Sequence, residues 1–212
     1  MNEENDVTRG VPTQIKNVNL IEKRRRQIID AAVRLFIEKG FHKTTTRQIA
    51  ASAGLASGSM YEYVASKEDI LYLVCVAIHD EMEKSINEVL ERAGKEKQVL
   101  ADVIREYFMV CHRMSDHILL IYQEAKSLPD VWRKRVLDNE VRITGIFSRY
   151  MRDLIASGDL PGADDRIVEM AAHNIVVLGH MWTFRRWALG GNYTIETYTD
   201  IQTGFIIGIL NK

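Results

Sequence analysis

The sequence has little of what disulfide frameworks and membrane spans require. Its 212 residues include three prolines and two cysteines. Cys75 and Cys111 both lie within apolar helical patterns, which favours buried thiols in a reducing compartment over a disulfide framework. No apolar run reaches the roughly 18 residues of a membrane-spanning helix, and no apolar signal core occurs near the N-terminus. We therefore expect a cytoplasmic protein with no membrane partner.

Motifs that commonly carry catalysis are also missing. We find no glycine-rich phosphate loop after a strand, no HExxH zinc motif and no GxSxG nucleophile elbow. Strand-like alternation of useful length and internal repeats are absent as well. We expect a protein that is not an enzyme, has no cofactor and folds entirely from α-helices.

What the chain does contain is enough apolar material for a core and an uneven distribution of charge. Hydrophobic residues make up 46% of the sequence, which excludes a wholly disordered chain. The net charge of −1 does not by itself favour nucleic acid. The first 66 residues, however, carry ten Lys or Arg and seven Asp or Glu. This pattern is compatible with a mildly basic DNA-facing domain on an acidic body.

Helical periodicity runs along most of the chain. A first helix is predicted from Glu22 to Lys39. A second is predicted to begin between Thr44 and Thr46, and a third at Ser57. Thr45 and Gln48 have capping-box spacing, with Thr44 an equally good N-cap. Ser66 caps a long helix over 67–93, which Gly94 ends. Further helices are predicted from Lys97, over 118–126, over 130–156, from Asp164 or Asp165 to Leu189, and over 195–210.

The stretch from Thr44 to Lys67 is typical of a helix-turn-helix. Gly54 allows a sharp turn, and short polar residues open the helix that would enter the DNA groove. The basic run 23–26 opens the preceding helix, where cations oppose the helix dipole. These cations therefore either contact phosphates, with Arg25 as the candidate, or form a solvated charged turn.

Three ordered motifs carry a family resemblance. They are Thr44-x-x-Arg47-x-Ile49-Ala50-x-x-Ala53-Gly54, Gly58-Ser59-Met60-Tyr61-x-Tyr63, and Ser66-Lys67-Glu68-Asp69-Ile70-Leu71. Over roughly 22–73 the chain closely resembles the N-terminal domain of tetracycline-repressor (TetR) family transcription regulators. The resemblance implies an all-helical homodimer, with a three-helix DNA-binding domain joined by a long helix to a ligand-binding and dimerisation bundle.

The resemblance also implies domain limits and DNA contacts. A disordered arm is expected over 1–21, the DNA-binding domain over 22–66, and the ligand-binding and dimerisation domain over 67–212. Tyr63 is equally compatible with core packing, and Arg47 with a solvated helix position. The expected contacts with double-stranded operator DNA are Arg25, Thr44, Arg47, Ser57, Gly58, Ser59, Tyr61, Tyr63 and Lys67.

In the second domain the resemblance implies a dimer face and an effector pocket. The stretches 173–187 and 205–210, with Gly179, Gly204 and Gly208, are expected to form a self-complementary dimer interface. The effector is expected to be a small hydrophobic or acyl-CoA-like molecule that releases a repressor from DNA. Pocket candidates are aromatic and polar residues along the later helices: Tyr107, Phe108, Tyr122, Trp132, Phe147, His173 and Trp182.

Two other functions remain open from the sequence. Cys75, His79 and Glu83 are spaced i, i+4, i+8 on one helix face, which would suit a metal-responsive regulator. A nucleoid or structural protein could use the same helix-turn-helix without any effector. The effector-responsive repressor remains our main hypothesis, with no metal ligand assigned.

Overall fold

A computed structural model describes residues 10–13, 15–93, 97–160 and 164–210, and all regular secondary structure in those ranges is helical. This confirms the all-α prediction. Among the helices that the structure describes, none combines the length and apolar composition of a membrane span. The elements are α1 (Val18–Lys39), α2 (Thr46–Ser52), α3 (Ser57–Met60), α4 (Lys67–Ala93), α5 (Lys97–Arg113), α6 (Ser115–Glu124), a 3₁₀ turn (Ala125–Ser127), α7 (Asp130–Ser157), α8 (Asp165–Leu189) and α9 (Ile195–Leu210).

Helix α1 begins earlier than the predicted Glu22 because an N-cap precedes it. The side chain of Asn17 accepts a hydrogen bond from the Leu20 N–H at 3.1 Å, which satisfies one of the unpaired donors of the first turn. The helix ends at Gly40, whose φ of 83° favours a residue without a Cβ. The Gly40 N–H donates to the Phe36 carbonyl at 2.9 Å.

The disordered arm expected over 1–21 differs from the structure wherever residues are described. Residues 1–9 and 14 lie outside the described ranges. Val11 is fully buried, and α1 already begins at Val18. A single buried apolar residue has no periodicity, so the sequence pattern could not indicate it.

The start of α4 is fixed by the reciprocal cap that the sequence predicts. Asp69 N–H donates to Ser66 Oγ at 3.0 Å, and Ser66 N–H donates to Asp69 Oδ2 at 3.1 Å. The predicted stop at Gly94 lies outside the described residues. Helix α6 begins at Ser115, before the predicted Ile118. The Ser115 hydroxyl donates to the His112 carbonyl in the last turn of α5 at 2.8 Å.

The chain forms two compact units. One contains the described residues up to Ala77 together with Leu120–Val136, and the other contains Ile78–Leu119 and the described residues from Leu137 onward. Helices α4, α6 and α7 therefore contribute residues to both units. In the second unit α5, α8 and α9 pack together.

Candidate DNA interface and effector site

The turn between α2 and α3 is built from local bonds. The predicted capping box is present: Thr45 N–H donates to Gln48 Oε1 at 2.9 Å, and Gln48 N–H donates to Thr45 Oγ1 at 3.3 Å. Gly54 has a φ of 68°, and the Leu55 N–H reaches back to the Ala50 carbonyl at 2.9 Å. Together these contacts end α2 sharply and direct the chain into α3.

The first turn of α3 presents a small polar surface. Ser57 and Gly58 are exposed and Ser59 is half-buried, while Met60 is fully buried and anchors the helix from below. A Cβ placed on Gly58 would meet no atom within 4 Å. Small side chains in open space allow the backbone to approach a DNA groove closely.

Two larger residues flank this surface. Arg47 on α2 is exposed. Tyr61, which follows α3, is 49% exposed, and its hydroxyl lies 2.9 Å from Thr46 Oγ1. This bond joins the start of α2 to the end of α3. Both side chains thus remain available for contacts with phosphates.

Lys67 combines a structural contact with partial exposure. Its Nζ donates to the carbonyls of Phe41 at 3.0 Å and Thr44 at 3.1 Å. The same ammonium lies 4.2 Å from the centroid of the Phe41 ring, a cation–π distance. Lys67 therefore ties the beginning of α4 to the loop between α1 and α2.

The structure contradicts the phosphate contact expected for Arg25. Arg25 is 4% exposed, and its guanidinium donates to the Tyr63 carbonyl at 3.0 Å from Nε and 2.9 Å from Nη2. A buried guanidinium cannot reach a phosphate. The sequence could have predicted this burial, because Arg25 lies on the same inward face of α1 as Ile21, Ile28 and Ala32.

Thr44 and Tyr63 are also turned inward. Thr44 is 1% exposed, its hydroxyl donates to the Gly40 carbonyl at 2.9 Å, and Thr45 is the N-cap of α2. The expected phosphate contact through the Thr44 hydroxyl is therefore wrong. Tyr63 is 6% exposed, which agrees with core packing rather than a DNA contact.

Four of the expected effector residues lie together in the second unit. Tyr107, Phe108 and Phe147 are fully buried and Trp182 is 3% exposed. The Tyr107 and Phe147 rings meet edge to face with centroids 5.2 Å apart. These side chains form an aromatic core between long helices.

Three other expected effector residues do not join that core. Tyr122 is 51% exposed and belongs to the first unit. Trp132 is also in the first unit, where it stacks on Tyr72 and donates to Asp69 at 3.2 Å. His173 on α8 is exposed. Periodicity alone could not assign these residues, because it shows a helix face without showing what packs against it.

The sequence analysis named His79 and Tyr107 separately but missed the polar cluster that they form with Glu140 and His180 inside the second unit. His79 is fully buried, and its Nε2 lies 2.9 Å from Glu140 Oε1. The Tyr107 hydroxyl lies 3.1 Å from Nε2 of His180, which is 2% exposed. Helices α4, α5, α7 and α8 each contribute one of these four side chains. A polar residue within an apolar stripe was the available signal.

Electrostatics within this cluster favour one charged group. Burial opposes ionisation of Glu140, but the hydrogen bond from His79 and the nearby His180 hold the pKa of Glu140 below its usual value. Burial lowers the pKa of His180 and strongly raises that of the Cys111 thiol. The cluster thus combines a carboxylate with a neutral imidazole, and Cys111 remains a thiol.

A separate apolar surface lies on α8 and α9. Met170, Val177 and Phe205 are 60%, 58% and 64% exposed. A cavity of about 330 Å³ opens between the two helices and is lined by Arg166, Ile167, Met170, Ala171, Asn174, Ile206 and Ile209. A cluster of exposed apolar side chains is typical of an interaction surface.

The glycines of these helices divide between two roles. Gly179 faces inward, where a Cβ would lie 2.8 Å from Tyr107 Cε1 and 3.0 Å from Cys111 Sγ. It therefore permits close packing of α8 on α5 within the subunit. Gly204 and Gly208 are exposed and have open space at their Cβ positions.

The residues considered for a metal site have other partners. His79 pairs with Glu140, and Glu83 forms an ion pair with Arg142. Within the described ranges no group of three or more His, Cys, Asp or Glu side chains is arranged to hold a metal ion.

Two family profiles match most of the chain. The profile described as "Bacterial regulatory proteins, tetR family" matches residues 28–72. The profile described as "Tetracyclin repressor-like, C-terminal domain" matches residues 93–210. The first covers the helix-turn-helix, and the second covers most of the second unit.

Individual proteins agree with these profiles. The HTH-type transcriptional regulator HbdR of Aromatoleum sp. (strain CIB) is 29% identical over 191 residues, covering 90% of this chain and 82% of that protein. The fatty acid metabolism regulator protein of Bacillus subtilis (strain 168) is 31% identical over 149 residues, covering 66% and 73%. The crystal structure of AibR with isovaleryl coenzyme A and operator DNA has a TM-score of 0.67 at 18% identity, covering 86% and 97%.

Proposed function

Because the chain belongs to the TetR family of DNA-binding transcription regulators, we propose that it is a homodimeric repressor released from operator DNA by a small hydrophobic effector of the acyl-CoA class. The observation that carries the effector half is the polar cluster of His79, Tyr107, Glu140 and His180 within an aromatic core. Polar groups that converge among aromatic side chains would suit the polar end of an acyl chain and its apolar tail.

The similar proteins support this effector class. One relative is a fatty acid metabolism regulator, and a protein of the same fold has been crystallised with isovaleryl coenzyme A. A thioester carbonyl is a hydrogen-bond acceptor, and the Tyr107 hydroxyl or an imidazole N–H could donate to it.

The proposed DNA contacts are the exposed members of the predicted set. Arg47, Tyr61 and Lys67 would bind phosphates, while Ser57, Gly58 and Ser59 would lie at the groove. An ammonium has three N–H donors. Lys67 gives two of them to carbonyls, which leaves one for a phosphate.

The proposed dimer pairs the apolar surface of α8 and α9 with itself. Two-fold symmetry places the same patch on both partners. The double variant Met170→Asp/Phe205→Asp should be monomeric by light scattering and should bind operator weakly. Val141→Asp, which changes a 65% exposed residue of α7, is the matched control and should remain dimeric.

The effector is tested by fluorescence anisotropy on a duplex that the protein itself selects from a randomised pool. Acetyl-, isovaleryl- and palmitoyl-CoA are added in turn, and we expect at least one to weaken DNA binding about tenfold or more. If DNA binds but no thioester changes the affinity, the acyl-CoA assignment fails. An affinity that no small molecule alters would favour a nucleoid protein.

A further inference from the structure

The C-terminal end of α3 depends on contacts from outside the helix. With four residues, α3 is far below the roughly 12 residues at which an isolated helix becomes marginally stable. The carbonyls of Ser59 and Met60 accept bonds from the N–H groups of Glu62 and Tyr63. The next carbonyls, those of Glu62 and Tyr63, are not followed by further helical turns, so their hydrogen-bond donors must come from elsewhere.

Two side chains supply those donors. The Glu62 carbonyl accepts a hydrogen bond from Thr13 Oγ1 at 2.8 Å. The Tyr63 carbonyl accepts two from the Arg25 guanidinium, at 3.0 and 2.9 Å. The bonds from Arg25 are the stronger ones, because a charged donor binds a carbonyl more strongly than a neutral donor does. Together, Arg25 and Thr13 fix the backbone immediately after α3.

Arg25 also binds the segment that contains Thr13. Its Nη2 donates to the Val11 carbonyl at 2.7 Å, and the Val11 side chain is fully buried. One guanidinium therefore joins α1, the end of α3 and the segment Gly10–Thr13, which we call the N-terminal strap. Removing the guanidinium would take these charged donors away from the carbonyls of Tyr63 and Val11, which lie in buried contacts.

The strap has a second anchor at its other end. Gly10 has a φ of 74°, and a Cβ there would overlap the guanidinium of Arg135 at the start of α7. That guanidinium lies 5.0 Å from the Trp132 ring, and Trp132 stacks on Tyr72 of α4 with centroids 4.3 Å apart. The strap is thus held between the start of α7 and the residues that follow α3.

From these contacts we propose that the N-terminal strap is a positioning element for α3, the helix whose residues Ser57, Gly58 and Ser59 are proposed to lie at the DNA groove. It fixes the orientation of α3 through the carbonyls of Glu62 and Tyr63, so operator affinity depends on residues that do not touch DNA. Arg25 is the positioning residue that transmits this support. The inference rests on the DNA binding in the proposed function and is independent of the effector.

Two truncations isolate the strap. One removes residues 1–9 and the other removes residues 1–13, so any contribution of the first nine residues cancels in the comparison. The probe is the duplex that the full chain selects from a randomised pool. We expect the longer deletion to bind about tenfold more weakly than the shorter one, with the same dependence of log affinity on log salt.

Point variants separate positioning from charge. Arg25→Met should weaken binding about tenfold without changing the salt slope, whereas a lost phosphate contact lowers that slope by about one. Thr13→Val removes one hydroxyl at constant shape and should weaken binding about threefold. Circular dichroism and light scattering identify variants that have lost their fold, and the mild Thr13→Val change keeps the test available if Arg25→Met unfolds.

Three outcomes decide the matter. Equal affinity of the two truncations, together with wild-type affinity of Thr13→Val, would overturn the strap proposal while leaving the repressor proposal intact. A salt slope reduced by about one in Arg25→Met would show that Arg25 acts as a phosphate contact and would also overturn it. If the full chain selects no duplex, DNA binding itself fails, and the strap proposal fails with it.

Discussion

The two compact units use their buried polar side chains differently. In the first unit, Arg25 and Thr44 donate to backbone carbonyls, and Asp69 accepts from the N–H groups of Ala65 and Ser66. In the second unit, His79 pairs with Glu140, and Tyr107 pairs with His180. The difference concerns the ionisable groups: Arg25 and Asp69 bond mainly to the backbone, whereas His79 and His180 bond to other side chains. The hydroxyls of Ser115 and Thr144 in the second unit still donate to backbone carbonyls.

Helix length explains this difference. Helices α2 and α3 have seven and four residues, so much of the nearby backbone lacks intrahelical partners. The long helices of the second unit satisfy their own backbones. A buried imidazole there pairs with another side chain, because few nearby N–H groups lack an intrahelical partner.

The largest expected effect comes from breaking a side-chain pair in the second unit. Glu140→Ala leaves His79 without its partner and should lower the free energy of unfolding by about 2–4 kcal/mol. Urea denaturation measures this. Glu106→Ala removes an exposed ion pair with Arg113 and should cost less than about 1 kcal/mol. If the two variants lost the same free energy of unfolding, the buried pair of His79 and Glu140 would contribute no more to stability than an exposed ion pair.

A smaller effect is expected where a side chain supports backbone in the first unit. Lys67→Ala removes donors to the carbonyls of Phe41 and Thr44 and should weaken operator binding by about 1–2 kcal/mol. The salt slope should fall by about one if the remaining N–H binds phosphate. Lys84→Ala, an exposed lysine of α4, should leave binding unchanged. Wild-type binding by the Lys67 variant would contradict the proposed docking face.

Helix caps give a matched comparison between the units. Thr45→Ala on α2 and Thr194→Ala on α9 each remove a hydroxyl that accepts a backbone N–H, at a cost of about 1 kcal/mol. We expect only Thr45→Ala to reduce operator affinity, because α2 is short and lies beside the DNA-facing turn. Thermal melts together with anisotropy would check both expectations, and equal affinities would argue against this link.

The smallest expected effect is on pH dependence. Burial lowers the pKa of His180 below 6.5, so the unfolded chain binds the proton more readily than the folded one. Stability from His180 is therefore full above about pH 6.5 and is lost as pH falls. We therefore expect the free energy of unfolding, measured by urea denaturation at several pH values, to fall as the pH drops below about 6.5. The His180→Gln variant should show a smaller loss of stability at low pH. The loss that remains would come from His117, whose pKa is also lowered by burial.

The sequence predicted well what local chemistry controls. The caps at Thr45 and Ser66 depend on residues three positions apart, and both form as expected. Inward aromatic positions such as Tyr107 and Phe108 follow helical periodicity and are buried. Arg25 was misassigned because charge was weighed above its place in the apolar stripe of α1.

By itself, then, the sequence determined the all-helical fold, the helix-turn-helix and its family, because caps, turns and periodicity act over a few residues. Only the tertiary structure decided that His79 meets Glu140 across 61 positions, or that Thr13 reaches the Glu62 carbonyl across 49. Such pairings depend on how distant helices pack, and a one-dimensional pattern shows which face is apolar without showing what lies opposite it.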